Sequence, residues 1–238
     1  MGKKKLDTRR VLCISDQHAP FGHPDTLAFL KAVKKKYKPT LVINGGDEID
    51  AHSLSFHDHD VDLPGAGEEL NQATKCLKEL EKLFPDMIIL DSNHGSLAAR
   101  RFKHHGIPMK FLASPHEVYG VSKRWTWVND LTLKLPNGQP VYMCHGMVKN
   151  GLKLAQQRGT CVVQFHYHTE FNIQYTGNPE ALIWSMQCGC LIDRKAMAFA
   201  YDRLNLARPV IGLGMIIDSQ PMLIPMVLNK SGRWIGRL

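Results

Sequence analysis

The sequence has no long hydrophobic run, and this absence excludes one class of protein. No apolar stretch approaches the ~18 residues that a helix needs to cross a bilayer. The basic start of the chain is followed only by Val11–Ser15 before Asp16, which is too short for the hydrophobic region of a secretory signal peptide. We therefore expect a cytoplasmic protein with no membrane association.

The sequence also lacks clustered cysteines and the common nucleotide and nucleophile motifs. Its six cysteines are scattered, and Cys188 and Cys190 do not have the CxxC spacing of a zinc knuckle, so we expect buried thiols in a reducing compartment. No P-loop or Gly-x-Ser-x-Gly nucleophile elbow is present. Gly212-x-Gly214 lacks the third glycine and the following helix of a dinucleotide-binding fingerprint. Any chemistry must come from other side chains.

The composition is that of a globular protein with a modest excess of positive charge. Hydrophobic residues make up 44% and charged residues 22% of the 238 residues, so a sizeable core can be buried without disulfides. We expect one domain over residues 11–238, preceded by a flexible basic tip over residues 1–10. Thirty Lys and Arg against 22 Asp and Glu give a net charge of +8, of which +4 lies in that tip. This balance permits an anionic partner without requiring a nucleic-acid groove.

The first half of the chain alternates short apolar runs with amphipathic helical patterns, which is typical of βαβ units. Buried strands are predicted at Val11–Ser15, Leu41–Asn44 and Met87–Leu90. Amphipathic patterns predict helices at Asp25–Tyr37 and Glu68–Phe84, the second of which has apolar residues at three- to four-residue steps. A third, shorter helix is predicted at Ser96–His105.

The second half is rich in predicted strands. Trp125–Leu135 and Val141–Cys144 flank an Asn-Gly turn and predict a β-hairpin. A helix is predicted at Leu152–Arg158. Further strands are predicted at Cys161–Gln164, Ile173–Tyr175, Leu182–Met186, Val210–Ile217 and Met222–Leu228.

Polar, chemically competent side chains follow five of the apolar runs. In open α/β sheets the loops at the carboxyl ends of strands meet in one crevice, where ligands bind. Gathering several carboxylates and imidazoles in one cleft is costly unless cations pair with them. A mixed Asp, His and Asn set suits Mn, Fe, Zn, Ni or Co. The residues concerned are Asp16 and His18; Asp47; Asn93 and His94; His145; and His166 and His168.

The spacing of these residues fits a pair of metal ions. Asp16 and His18 are two residues apart, so both can face one side of an extended strand end, and His166 and His168 repeat that spacing. Asp47 follows two glycines, and its two carboxylate oxygens can bridge two cations. Two ions roughly 3.5–4 Å apart can clamp the attacking and leaving oxygens of a phosphoryl displacement.

The ordered set of motifs resembles that of the calcineurin-like metallophosphoesterases. It comprises Asp16-x-His18, Gly46-Asp47, Asn93-His94, His145-Gly146 and His166-x-His168, and it spans residues 16–168. The resemblance implies an α/β fold, a β-sandwich of two mixed sheets flanked by helices. It implies two divalent metal ions, with Mn the first expectation. It also implies that Asp16, His18 and His168 hold one ion, that Asp47 bridges, and that Asn93, His145 and His166 hold the other.

The resemblance further implies that His94 contacts the phosphoryl group and protonates the leaving oxygen. Three positions depart from the family pattern: Ser92 replaces a glycine, Gly95 replaces an acidic residue, and Phe165 replaces a glycine. None of them removes a ligand. Because a carboxylate that is hydrogen-bonded to a histidine commonly orients its ring, the loss of the acid at Gly95 leads us to expect a substitute partner for His94.

The function predicted from these residues is metal-dependent hydrolysis of phosphate esters by a metal-bridging hydroxide. The basic balance favours a phosphodiesterase or nuclease acting on nucleic acid or nucleotides. A phosphomonoesterase, such as a nucleotidase or protein phosphatase, would use the same site, and a non-catalytic scaffold stabilised by metal is a third reading. The sequence gives no indication of oligomeric state.

Two further features lie close to the motifs in sequence. Arg100 and Arg101 lie about one turn along the helix that follows Asn93 and His94. At most one of them can point back to a bound phosphate, because adjacent helical residues diverge by about 100°; the alternative is a solvated helix face. The loop of residues 51–67 is rich in His and Asp, and it is either a solvated loop, a cleft rim or a further metal site. Its candidates are His52, His57, Asp58, His59, Asp60 and Asp62.

Overall fold

A computed structural model describes residues 6–56, 62–177, 179–196 and 208–238. Within these residues the chain forms eleven strands, five α-helices and two short 3-10 turns, the latter at His52–Leu54 and Met109–Phe111. The helices are α1 (Thr26–Tyr37), α2 (Ala66–Leu83), α3 (Leu97–His104), α4 (Pro115–Tyr119) and α5 (Gly151–Arg158). The strands are β1 (Arg10–Ile14), β2 (Leu41–Asn44), β3 (Met87–Leu90), β4 (Trp125–Val128), β5 (Leu131–Lys134), β6 (Pro140–Cys144), β7 (Cys161–Gln164), β8 (Phe171–Gly177), β9 (Leu182–Cys188), β10 (Gly212–Ile217) and β11 (Gln220–Pro225).

The strands form two mixed sheets. The first has the order β11-β10-β1-β2-β3-β4, in which β1 to β4 run parallel and β10 and β11 are antiparallel additions at one side. The second has the order β5-β6-β7-β9-β8, with β6, β7 and β9 parallel and both edge strands antiparallel. The expected α/β fold of two mixed sheets flanked by helices is confirmed.

Alternation along β1 shows how the two cores arise. Side chains of a strand point to opposite faces in turn. Leu12 and Ile14 pack with the apolar residues of α1 and α2, whereas Val11 and Cys13 pack with residues of the second sheet. One face of the first sheet is therefore covered by helices and the other by the second sheet, so both faces are buried, as parallel strands require.

The four helices predicted from the sequence are all present, with ends within two residues of those expected. Helix α4 was missed, although Ser114 and Glu117 form a capping box at its start, and that pattern is visible in the sequence. Among the described residues, no helix combines the length and apolar character needed to cross a membrane.

The prediction of one hairpin strand over Trp125–Leu135 is wrong. The segment forms two strands in different sheets: β4 pairs with β3 in the first sheet, and β5 pairs with β6 in the second. The chain crosses between the sheets at Asn129 and Asp130, residue types that favour turns. Trp125 holds β4 in place, because its ring is fully buried and its Nε1 donates to the Phe84 carbonyl at 2.9 Å.

The topology places the predicted motif residues at neighbouring strand ends. The parallel strands β1, β2 and β3 are adjacent, as are β6 and β7 in the other sheet, and the five motifs follow these five strands. Backbone bonds tie the ends together: the Asp16 amide donates to the Gly46 carbonyl at 3.0 Å, and the His18 amide donates to the Asp47 carbonyl at 2.9 Å. The carboxyl ends of these strands therefore form one site.

Gly45 and Phe165 set how closely the ends of the two sheets approach. Gly45 follows β2 in the first sheet, and Phe165 follows β7 in the second. A Cβ at Gly45 would overlap the buried Phe165 ring. The missing side chain at Gly45 therefore makes room for the aromatic ring that replaces the family's glycine at Phe165.

We expect Gly45→Ala to lower the free energy of unfolding by about 1–3 kcal/mol, because overpacking a filled core costs that amount. Denaturant unfolding followed by circular dichroism measures it. Gly67→Ala is the matched control: nothing lies within 4 Å of its added Cβ, so stability should stay constant or rise by up to about 1 kcal/mol. Equal stability of Gly45→Ala and the parent would contradict this account of the sheet junction.

Candidate metal centre

The first group of candidate ligands is formed by Asp16, His18 and His168. Each offers one ligand atom, and these atoms lie within 4.8 Å of one another. Asp16 is completely buried after β1, and its Oδ1 lies 3.2 Å from Nε2 of His168. Residues 152 positions apart are thus brought together by the two sheets, and a carboxylate with two imidazoles is a donor set that fits a divalent transition-metal ion.

The second group is centred on Asp47. Its ligand atoms, with those of His145 and His166, lie within 4.8 Å of one another. Nε2 of His145 is 3.1 Å from Asp47 Oδ2 and 2.8 Å from Asn93 Oδ1. Asn93 therefore lies beside this group.

Asp47 connects the two groups. Its Oδ2 lies 3.6 Å from Nε2 of His18 in the first group and 3.1 Å from Nε2 of His145 in the second. Its Oδ1 accepts a hydrogen bond from the His94 amide at 2.9 Å. The structure thus brings all seven sequence-predicted ligands to the same strand ends, with the Asp47 carboxylate between them.

The two imidazoles that face Asp47 are oriented by acceptors on their other nitrogen. Nδ1 of His18 lies 2.6 Å from the Asp50 carboxylate, and Nδ1 of His145 lies 2.7 Å from the Gly45 carbonyl. Metal-binding histidines characteristically donate one ring N–H to such an acceptor and bind through the other nitrogen. The donor set and its orientation therefore fit divalent cations.

The backbone is held in an unusual conformation at several of these residues. Asp16, His18, Asp47 and His166 all have positive φ, between 46° and 71°. Non-glycine residues seldom occupy this region, and strained backbone tends to concentrate at functional sites. Hydrogen bonds from neighbouring residues hold the backbone in this conformation, and the conformation sets the direction in which the candidate ligand side chains point.

The carboxylates and imidazoles of the site shift one another's pKa. Burial alone would raise the pKa of Asp47, but the hydrogen bond with His145 and the nearby imidazoles hold it below its usual range. Burial disfavours protonation of His145, yet Asp47 outweighs this and raises the His145 pKa to about 9. Burial and the charge of His145 lower the pKa of His166. Near neutral pH, a proton on His145 thus occupies a position that a cation would take.

His94 lies beside the metal-ligand groups and is positioned by Asp50. Nδ1 of His94 contacts the Asp50 carbonyl and lies 3.5 Å from the Asp50 carboxylate. Its Nε2 is then the ring nitrogen available to a substrate. The Asp50 carboxylate also binds Nδ1 of His18, so Asp50 orients His94 through its backbone carbonyl and His18 through its side chain. This is the substitute partner expected for His94, and the sequence signal was the acid three residues after Asp47.

The other two departures from the family pattern also have local explanations. The Ser92 hydroxyl accepts hydrogen bonds from the amides of Asp47 and Gly95, at 2.9 and 3.1 Å, which ties two motifs together. A Cβ at Gly95 would lie 2.9 Å from the Ser92 hydroxyl and 3.7 Å from the Glu48 carboxylate. Glu48 is buried, accepts a bond from Trp127 Nε1 at 3.1 Å, and has a pKa raised by burial.

The two arginines of α3 differ in their contacts. Arg101 donates to the carbonyls of Leu54 and Ser55, and its guanidinium lies 4.1 Å from the centre of the Phe56 ring. Arg100 donates to the Asn93 carbonyl at 2.6 Å. Of the two, only Arg100 lines the polar cavity at the candidate ligands. That cavity of about 390 Å³ is lined by Asp91, Ser92, Asn93, Ser96, Arg100, His145, Gly146 and His166.

The His- and Asp-rich loop is described only in part, because residues 57–61 lie outside the described residues, and with them His57, Asp58, His59 and Asp60. His52 lies with Asp50 and Glu69 in a buried group whose ligand atoms are within 4.8 Å of one another. The Glu69 carboxylate accepts bonds from the amides of His52 and Ser53 and from the Ser53 hydroxyl. This group therefore anchors the 3-10 turn.

Comparison with known proteins places the chain in a family. Residues 9–199 match the sequence model described as calcineurin-like phosphoesterase. Because this match covers well over half of the chain, the protein belongs to the calcineurin-like phosphoesterase family. No curated protein matches the sequence.

Solved structures with a similar fold share little sequence with this chain. Vps29 from Chaetomium thermophilum has 11% identity and a TM-score of 0.51, over 95% of this chain and 92% of that one. A novel archaeal phosphodiesterase has 13% identity and a TM-score of 0.49, over 91% and 99%. Yfce, a phosphoesterase from E. coli, has 14% identity and a TM-score of 0.48, over 95% and 96%. At this identity the likeness concerns the fold alone.

We expect metal binding near neutral pH to release a proton from His145, and the apparent affinity to rise with pH up to about 9. The reason is that the His145 pKa of about 9 keeps the imidazole protonated below that pH, whereas a metal binds only the neutral ring. Calorimetric titration with Mn²⁺ at pH 7.5, in buffers of different ionisation enthalpy, counts the protons. His145→Gln should release about one proton fewer than the parent, and equal release by both proteins would contradict the assignment.

Proposed function

We propose that this protein hydrolyses phosphoesters with two divalent cations bound about Asp47. One cation would be held by Asp16, His18 and His168, and the other by Asn93, His145 and His166. Asp47 would contact both cations. The single observation that carries the proposal is the placement of the other six side chains around the Asp47 carboxylate, from the ends of five strands in two sheets. The family to which the chain belongs supports the same reaction class.

The cations would supply Lewis acidity and an acidified water as the nucleophile. The chain's own residues would position the phosphoryl group and donate a proton to the leaving oxygen. Asn93 and Arg100 line the polar cavity, where a phosphoryl group can be bound by charge-assisted hydrogen bonds. His94 is held at Nδ1 by the Asp50 carbonyl, so its Nε2 faces the leaving oxygen and can protonate it. A hydrogen-bond acceptor on the other ring nitrogen commonly orients a histidine for this role.

We propose a phosphodiester of nucleic acid or of a nucleotide as the substrate, with Mn²⁺ as the first metal to be tried. The net charge of +8 supports an anionic partner of this kind. The arginine at the polar cavity supports binding of a phosphate that keeps one negative charge after esterification. A phosphomonoester is the alternative substrate of the same site.

His94→Asn tests this function together with the role of the imidazole. With Mn²⁺ present, we expect kcat on a thymidine dinucleotide to fall by about 10²–10⁴, because its alkoxide leaving group needs a proton. The fall on thymidine 5′-(p-nitrophenyl) phosphate should be much smaller, because p-nitrophenolate leaves without one. His105→Asn, at an exposed histidine just after α3, is the matched control and should retain the parent's rates.

The outcomes separate the alternatives. An equal fall in kcat on both esters would show that His94 is not the proton donor. Rapid hydrolysis of p-nitrophenyl phosphate and mononucleotides, with no hydrolysis of the diesters, would show that the substrate is a phosphomonoester rather than a phosphodiester. Binding of metal without turnover of any phosphoester would favour a non-catalytic scaffold.

A further inference from the structure

A second cavity adjoins His94, and its chemistry differs from that of the polar cavity at the metal ligands. Its volume is about 340 Å³. It lies among α2, α3, α4 and the segment after Asp47, and its walls are mostly aliphatic. The main apolar contributors are Ile49, Leu54, Leu70, Ala73, Ala98 and Val118.

Two polar side chains in the wall of this cavity, Ser53 and Glu69, are engaged with each other, and the wall also holds the Tyr119 hydroxyl and the His94 ring. The Ser53 hydroxyl donates to Glu69 Oε2 at 2.9 Å, and Glu69 Oε1 accepts from the His52 amide at 3.0 Å. A ligand in the cavity would therefore find few free hydrogen-bonding groups. Burying sugar hydroxyls or the polar edge of a base there would cost free energy, whereas burying a hydrocarbon would release it.

His94 and Gly95 form part of the same wall. His94 is the residue that we assign to protonate the leaving oxygen, so the group attached to that oxygen lies next to the cavity. Gly95 replaces the acidic residue that the family pattern has after the histidine, so position 95 itself adds no charged side chain to the wall. Asn93, one residue earlier, lines the polar cavity instead. The Asn93–His94 dipeptide therefore separates a polar binding space from an apolar one.

We propose that the apolar cavity binds the leaving alcohol of the substrate, and that this alcohol carries an apolar aromatic group. The inference rests on the proposed function and narrows its substrates to nucleotides esterified to such an alcohol, with the nucleotide on the side of Arg100. The volume indicates the size of the group: an engineered cavity of 150 Å³ holds benzene, so about 340 Å³ holds two fused rings.

The test compares two esters, thymidine 5′-phenyl phosphate and thymidine 5′-(2-naphthyl) phosphate. Phenol and 2-naphthol have similar acidity, so a difference in kcat/KM reports the fit of the second ring. We expect the Mn²⁺-loaded parent to prefer the naphthyl ester by at least about tenfold, since a well-placed apolar group is worth roughly that much in a pocket.

Ala98→Leu and Ala99→Leu provide a matched pair on α3. Ala98 lines the cavity, whereas Ala99 does not and points about 100° away along the helix. We expect Ala98→Leu to reduce the naphthyl preference to about twofold or less while the phenyl ester is still hydrolysed. Ala99→Leu should keep the parent's preference. Both changes introduce a strong helix former, so α3 is retained.

Binding of 2-naphthol to the metal-free proteins, measured by calorimetry, gives a readout without turnover. We expect binding to the parent and to Ala99→Leu, and at least tenfold weaker binding to Ala98→Leu. A parent that hydrolyses both esters equally well, or a naphthyl preference that survives Ala98→Leu, would overturn this inference alone. Failure of the metal-loaded parent to hydrolyse either ester would overturn the proposed function and this inference with it.

Discussion

The Asp47 carboxylate is the group on which the rest of the site depends. It is buried, and a buried ion is costly unless charges and hydrogen bonds compensate for the lost water. The compensation comes from both sheets: the amide of His94 and the ring of His18 from the first, and the ring of His145 from the second. The strand ends therefore have to meet at this point, and cations are the partners that best balance the gathered carboxylates.

The departures from the family pattern are matched by their neighbours. Ser92 ties the turn before His94 to the Asp47 backbone, and Phe165 occupies the space that Gly45 leaves open. Gly95 lacks the family's acid, while Asp50 and Glu48 place two buried carboxylates close by. Each departure is thus accompanied by contacts from neighbouring residues, and position 95 adds no charged side chain beside His94.

Much of the fold and the site could be predicted from the sequence, because the signals are local. The runs before Asp16, Asp47 and Asn93 are apolar throughout, as strands buried on both faces must be, and the residues after parallel strands meet at one edge. Other features depend on tertiary structure. The break of Trp125–Leu135 between two sheets follows from the burial of Trp125 against α2, which alternation along the segment does not encode. The roles of Asp50 and of the apolar cavity depend on contacts between segments that are distant in sequence, which a local sequence pattern does not specify.

The most direct measurement of the central claim is anomalous X-ray scattering from crystals of the Mn²⁺-loaded protein. The account predicts two anomalous peaks on either side of the Asp47 carboxylate, one within bonding distance of Asp16, His18 and His168, the other within bonding distance of Asn93, His145 and His166. Crystals grown with excess Mn²⁺ that show no peak at these side chains would contradict it.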